Sequence, residues 1–198
     1  MNKTLELYNI REATEADLPQ ICEIFNERIS NSTCIFVYNT VSLENRLTWF
    51  NDLKSKGYPI IVAAEKESDK AVAYACFGSF RPHPAYVLST EVSLYIHQQH
   101  QRKGLGGLML KEMLRIAKDM QFHSIIASIT ADNEGSIVLF SKFGFRHCGV
   151  THQVGYKFGK FLDVVFMEYL TDAPIISQDI PSFKAFPWGA YTFNESLF

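Results

Sequence analysis

Apolar residues along the first 170 positions follow two rhythms, one repeating every second residue and one every three to four. Tyr8 to Ala13 reads as a short strand. Thr14 followed by Asp17 resembles a capping box and opens a helix to about Arg28, with Leu18, Ile21, Cys22 and Phe25 on its apolar face. Asn31 to Thr40 is a loop with a short apolar insert. Ser42 then caps a second helix carrying Leu43, Leu47, Phe50 and Leu53, which ends at Gly57. Pro59 to Glu65 and Ala71 to Ser79 read as a hairpin, and Val87 to Ile96 as a long strand after the loop Phe80 to Tyr86. A third helix covers Gly104 to Met120, its apolar stripe at Leu105, Leu108, Met109, Met113, Ile116 and Met120, with Lys111, Arg115 and Lys118 outward. Ser124 to Thr130 is a buried strand, and Asn133 to Phe143 a fourth helix closed by Gly144. Strands near Phe145 to Gly149 and Val164 to Tyr169 complete the pattern.

Both rhythms stop at Thr171. Residues 171–198 hold three of the seven prolines and five aromatic residues between Phe183 and Phe193. Leaving such rings in water costs ~1.5–3 kcal/mol each. The chain is therefore expected to be one domain over 1–172, with an extended tail, 173–198, packed on that domain or on a neighbouring subunit.

Composition adds exclusions. With 198 residues and a net charge of -2, the chain can bury a core but lacks the basic excess of a nucleic-acid platform. Four scattered cysteines, Cys22, Cys34, Cys76 and Cys148, read as reduced thiols of a cytoplasmic protein. The N-terminus carries no apolar targeting core, and no run is long enough to span a bilayer, so neither secretion nor a membrane partner is expected. His97 and His100 have the wrong spacing for two ligands on one helix face, with no third ligand nearby. No metal is expected.

The densest chemistry lies in Glu91 to Gly107, EVSLYIHQQHQRKGLGG. A strand containing one carboxylate runs into Gln101-Arg102-Lys103-Gly104-Leu105-Gly106-Gly107, where a helix begins. Helix N-termini offer unpaired N–H groups and a positive dipole end, and glycines let an anion approach. A nucleotide P-loop is excluded, because the lysine precedes the glycines and no Ser or Thr follows. The dinucleotide fingerprint fails at its third glycine, where Met109 stands.

Gln101-x-x-Gly104-x-Gly106 resembles the Q/R-x-x-G-x-G/A signature of the GNAT superfamily of N-acetyltransferases. The segments STCIF (32–36), Glu91 through Gly107, Asn133 with Ser136, Phe143-Gly144-Phe145 and GYKFGKFLDV (155–164) extend the likeness over about residues 8–170. Their order and spacing are similar to those of the phosphinothricin and methionine sulfoximine/sulfone N-acetyltransferases. The resemblance implies an α+β acyltransferase fold, a mixed and mostly antiparallel sheet of about seven strands with four helices on its faces. It also implies acetyl-CoA as co-substrate. By the resemblance, the backbone of Leu94, Tyr95 and Ile96 pairs with the pantetheine arm. Gln101, Arg102, Lys103, Gly104, Leu105, Gly106 and Gly107 hold the pyrophosphate, Asn133 binds the cofactor arm, and Lys142 could reach it.

Glu91 matches the catalytic carboxylate of that group. A base is chemically required, since an ammonium cannot attack a thioester; losing its proton at pH 7 costs about 1–1.4 kcal/mol for an α-amine and about 4.6 for a lysine-type amine. Phe140 occupies a position where relatives carry a Tyr or His able to protonate the leaving thiolate, so no general acid carries over. Phe80-Arg81 matches an aromatic-Arg pair whose guanidinium binds substrate oxygens. His83, Val92 and Ser93 complete the expected substrate contacts. Tyr38, Lys157, Asn26 and Thr33 are secondary pocket candidates, for which a purely structural role is the competing reading. The expected reaction is acetyl transfer to the primary amine of a small amino-acid-like compound, by direct attack in a ternary complex within a homodimer. The alternatives are a protein or peptide N-acetyltransferase and a non-catalytic acetyl-CoA-binding module.

Overall fold

The structure, a computed structural model, describes residues 3–173 and 179–198. Seven strands form one sheet: β1 (Tyr8–Glu12), β2 (Ile60–Glu65), β3 (Ala71–Ser79), β4 (Ser89–Ile96), β5 (Ser124–Thr130), β6 (Arg146–Lys157) and β7 (Lys160–Leu170). Their order is β1-β2-β3-β4-β5-β7-β6, and every neighbouring pair is antiparallel except β4 and β5. The expected α+β fold with a mostly antiparallel seven-stranded sheet is the one observed.

Among the described residues five α-helices accompany the sheet: α1 (Lys3–Leu7), α2 (Leu18–Asn31), α3 (Leu43–Ser55), α4 (Leu105–Asp119) and α5 (Glu134–Lys142). The expected count was four. The extra helix, α1, is a five-residue turn too short to leave a periodic signature. Thr14 and Asp17 do form a capping box, on a short 3-10 turn (Glu15–Asp17) that leads directly into α2. Asp17 accepts from the Thr14 N–H (2.8 Å) and from both Arg11 Nη1 and Nη2 (2.7 and 2.8 Å). Ser42 caps α3, and Gly57 closes it at φ 77°, a conformation that an L-residue with a Cβ rarely adopts.

The last two strands are longer than their apolar runs. β6 extends to Lys157 and β7 starts at Lys160, so 155–164 forms the end of a hairpin. β6 is the sheet edge and is exposed along nearly its whole length, so no apolar alternation marks it. β2 and β3, by contrast, are buried on both faces, with Ile60, Val62, Ala73 and Phe77 fully enclosed.

Beyond β7, the described part of the tail packs on its own chain; residues 174–178 lie outside the described residues. Phe183 stacks on Phe122 (4.6 Å) and Tyr58 (5.2 Å), and the Trp188 indole donates to the Tyr58 carbonyl (3.2 Å). The Tyr191 hydroxyl donates to Glu112 (2.7 Å), a fully buried carboxylate on α4 that also takes Arg115. Glu112 sits among apolar positions, so the helical rhythm hid it.

Candidate active site

The site arises where the sheet stops being continuous. β4 pairs with β5 only from Ser89 to Glu91, against Ser124 to Ile126. Past that point β4 keeps only its ladder to β3 and β5 only its ladder to β7. The His97 N–H bonds to the Val72 carbonyl (2.8 Å). Alternation along an antiparallel strand then turns the backbone groups of Tyr95 and Ser93 toward β3, and those of Val92, Leu94 and Ile96 toward the opening.

Two cavities occupy this opening. The larger, about 930 Å³, runs from the Gln101–Gly107 turn past Leu94 to Ile96, Asn133 and Ser136, to the turn at Phe158 and Lys160. The smaller, about 250 Å³, is bounded by Glu91, Val92, Ser93, Ser128, Thr130 and Phe36. They share six residues: Cys34, Leu94, Tyr95, Asn133, Ser136 and Phe140.

The turn at the head of α4 is shaped for an anion. Arg102 (φ 58°) and Gly104 (φ 86°) both adopt the left-handed conformation, and the first N–H groups of α4 lack helical partners. The Thr4 hydroxyl on α1 donates to the Lys103 carbonyl (2.9 Å), and a Cβ on Gly104 would stand 2.5 Å from that hydroxyl oxygen. On Gly106 a Cβ would come within 3.0 Å of Leu139. The glycines thus serve packing and approach together. Unpaired N–H groups, the Arg102 cation and glycines without a Cβ are the chemistry that holds a pyrophosphate, and the larger cavity adjoins them.

Not every expected contact lies in the opening. Leu94, Tyr95, Ile96, Gln101, Arg102, Gly104, Gly106, Gly107 and Asn133 line the larger cavity, and Glu91, Val92 and Ser93 the smaller. Leu105 is fully buried in the core, while Lys103 and Lys142 are exposed outside both cavities. Arg81 and His83 sit on the exposed loop between β3 and β4. The Arg81 guanidinium lies over its neighbour Phe80 (4.5 Å). Neither residue borders the cavities. Thr33 lines the larger cavity and donates to Asp132 (2.7 Å), which also takes Lys160 (3.0 Å). Burial opposes the ionised Asp132, but those two bonds outweigh it and lower its pKa. Asn26, Tyr38 and Lys157 border neither cavity; each braces the 32–41 loop from behind.

Glu91 is half-buried, and one of its carboxylate oxygens accepts from the Ser128 hydroxyl at 2.5 Å. Among the described residues the other oxygen has no such donor. Ser128 was not anticipated, although it is the one exposed position within an otherwise buried run of β5. Phe140 is buried against Phe145 (4.8 Å) at the junction of the cavities. Of the groups there, Tyr95 packs between Tyr74 (5.2 Å) and Phe25 (6.1 Å), and burial pushes its pKa well above the usual phenol range. Among the described residues no cluster of three or more His, Cys, Asp or Glu is placed to hold a metal.

The family model for the acetyltransferase (GNAT) domain matches residues 10–166. The chain belongs to the GNAT acetyltransferase family. It is 37% identical over 164 residues to an L-methionine sulfoximine/L-methionine sulfone acetyltransferase of Pseudomonas aeruginosa, covering 83% of this chain and 95% of that one. A phosphinothricin N-acetyltransferase of Streptomyces coelicolor is 30% identical, with 80% and 94% covered. The fold is also that of a phosphinothricin acetyltransferase from Sinorhizobium meliloti solved with acetyl-CoA (TM-score 0.83, 28% identity, 88% of this chain and 95% of that one). The subgroup resemblance read from the motifs is therefore borne out, and this GNAT chain is an N-acetyltransferase.

Proposed function

We propose that this acetyltransferase moves the acetyl group of acetyl-CoA to the primary amine of a small amino-acid-like compound of the methionine sulfoximine, methionine sulfone or phosphinothricin type. The observation that carries this reading is the meeting of two cavities beside β4, whose pairing to β5 ends at Glu91. The larger takes the cofactor and the smaller the amine. Arg102 and the glycine turn hold the pyrophosphate. The cleft-facing backbone of Leu94 and Ile96 pairs with the pantetheine arm, and Asn133 bonds to the arm from the other wall. A main-chain N–H aimed at the thioester oxygen lowers the barrier by up to ~3–4 kcal/mol.

Glu91 takes the ammonium proton, directly or through one water, and the freed amine attacks the thioester carbon in a ternary complex. The thiolate leaves without a side-chain acid at Phe140; a thiol of pKa about 8.5 departs far more readily than an alkoxide. The small size of the amine cavity and its single carboxylate favour a compact acceptor over a peptide. Arg81, with Glu91 at the same end of the β3–β4 ladder, is the cation assigned to the acceptor's acidic group.

The working form is a homodimer. β6 offers an unpaired edge twelve residues long, and Val150, Val154, Tyr156, Phe158 and Phe161 stand about half exposed or more along the β6–β7 hairpin. Stable monomers blunt such edges or keep apolar patches small. All four cysteines are free, in keeping with a cytoplasmic site of action.

A thiol-release screen tests the reading, with acetyl-CoA against methionine sulfoximine, methionine sulfone, phosphinothricin and the common amino acids. Turnover of at least one of the first three above the amino-acid background is expected. Acetylation of peptide N-termini with none of these small amines would refute it.

A further inference from the structure

The tip of the β6–β7 hairpin grips the loop after α2 by three separate contacts. The Lys157 ammonium is buried and donates to the carbonyls of Ile29 (2.6 Å), Ser32 (2.9 Å) and Ile35 (2.8 Å). The Tyr38 hydroxyl donates to the Tyr156 carbonyl (2.9 Å). Phe36 lies against Gly155 so closely that a Cβ there would stand 2.3 Å from the ring.

The gripped loop supplies walls to both cavities. Thr33 and Cys34 border the larger, and Cys34 and Phe36 the smaller. A lysine suits its position, because one ammonium carries three N–H groups that serve three converging carbonyls, and the planar fork of arginine does not match that arrangement. The carbonyls come from the last turn of α2 and the residues beyond it, where unpaired acceptors and the negative dipole end favour a cation. Gly155 has no positive φ, so its lack of a Cβ answers to Phe36 and not to the backbone. Phe36 borders the amine cavity and Gly155 does not; the ring therefore separates the hairpin from the cavity.

We propose that Gly155 and Lys157 are positioning residues that fix the 32–36 wall and so set which amines are accepted, an inference that rests on reading this cleft as the acetyl-transfer site. Gly155→Ala pushes the Phe36 ring off its seat and into the amine cavity. Lys157→Met removes all three bonds while keeping the chain's bulk. Neither residue touches the cofactor turn.

The test compares kcat/KM for alanine and for methionine sulfone in wild type, Gly155→Ala, Phe36→Ala and the Phe36→Ala/Gly155→Ala pair. Amide exchange over residues 29–38 is followed in Lys157→Met. Gly155→Ala is expected to lower kcat/KM for methionine sulfone about tenfold more than for alanine, the scale on which small pocket changes discriminate substrates. KM for acetyl-CoA stays within about twofold, and the effect of Gly155→Ala disappears once Phe36 is alanine. Exchange over 29–38 accelerates in Lys157→Met while that of α4 does not. Equal losses on both amines, or a loss that persists without Phe36, would overturn the role of Gly155. Unchanged exchange in Lys157→Met would overturn that of Lys157. If wild type turned over neither amine, the acetyl-transfer reading would fail separately, and the exchange measurement would still decide whether Lys157 fixes the 32–36 wall.

Discussion

Glu91→Gln isolates the chemistry of the base from its packing. The amide is nearly isosteric and still accepts from the Ser128 hydroxyl, so the short contact between β4 and β5 survives and the midpoint of thermal unfolding should move little. What disappears is the ability to take a proton. Positioned general bases contribute about 10²–10⁴-fold, so kcat/KM for the amine should fall by that range at pH 7. The loss should also depend on pH. Without the base the variant uses only amine that is already neutral, a fraction that rises about tenfold per pH unit below the amine's own pKa. The gap between wild type and variant therefore narrows as pH rises. Glu91→Asp offers a second gauge: it withdraws the carboxylate by one methylene, and a misplacement of ~1 Å can cost about 100-fold. The assay is thiol release from acetyl-CoA across pH 6–9, at saturating cofactor. If Glu91→Gln kept activity within about twofold of wild type at every pH, Glu91 would not be the base.

Other consequences are simpler to measure. Charge reversal at Arg102 should raise KM for acetyl-CoA about 10–100-fold with little effect on kcat, since a hydrogen bond to a charged group is worth ~1.5–3 kcal/mol; an unchanged KM refutes the pyrophosphate assignment. Tyr191→Phe should cost a similar ~1.5–3 kcal/mol in denaturant unfolding, because Glu112 is fully buried and loses one of its partners. Burial alone would raise the pKa of Asp17, but the Arg11 and Thr14 bonds outweigh it and leave it lowered. Its stabilisation is thus present above the ordinary carboxylate range and lost as pH falls through the lowered value; Asp17→Asn should flatten that acid limb of the stability profile. Val154→Glu, on the exposed edge, should shift the sedimentation coefficient from dimer to monomer.

The sheet was legible in the sequence wherever burial imposes a rhythm. β2, β3 and β5 are apolar runs because both of their faces are covered, and α4 shows its stripe because one face is. Of β6 only the start, near Phe145 to Gly149, was legible, because an exposed edge has no reason to alternate; unread with the rest went the hairpin end that carries Phe158 and Lys160 to the cleft and Lys157 behind its wall. In the site, the turn at Arg102 to Gly107 announces itself because an anion pocket needs glycines and cations in one local stretch. Thr33 and Asp132 are ninety-nine residues apart and meet only through the fold, as do Lys157 and Ile29, separated by 128. Such contacts leave no local spacing to read. Ser128 was the partial exception, a polar residue where β5 is otherwise buried.

The strand order also has a consequence for when the active site comes into being. β7 lies between β5 and β6, so a chain still being synthesised cannot finish the wall beside Ser128 until residues 160–170 have emerged. The β1 to β4 meander needs none of this and can pair earlier. The bonds that close the cleft join residues 99 to 128 apart, as Thr33–Asp132 and Lys157–Ile29 do, and so carry a high loop-closure entropy. Within the sheet the pocket thus assembles after the β1 to β4 meander, and in native-state exchange β5 and β7 should open before it does.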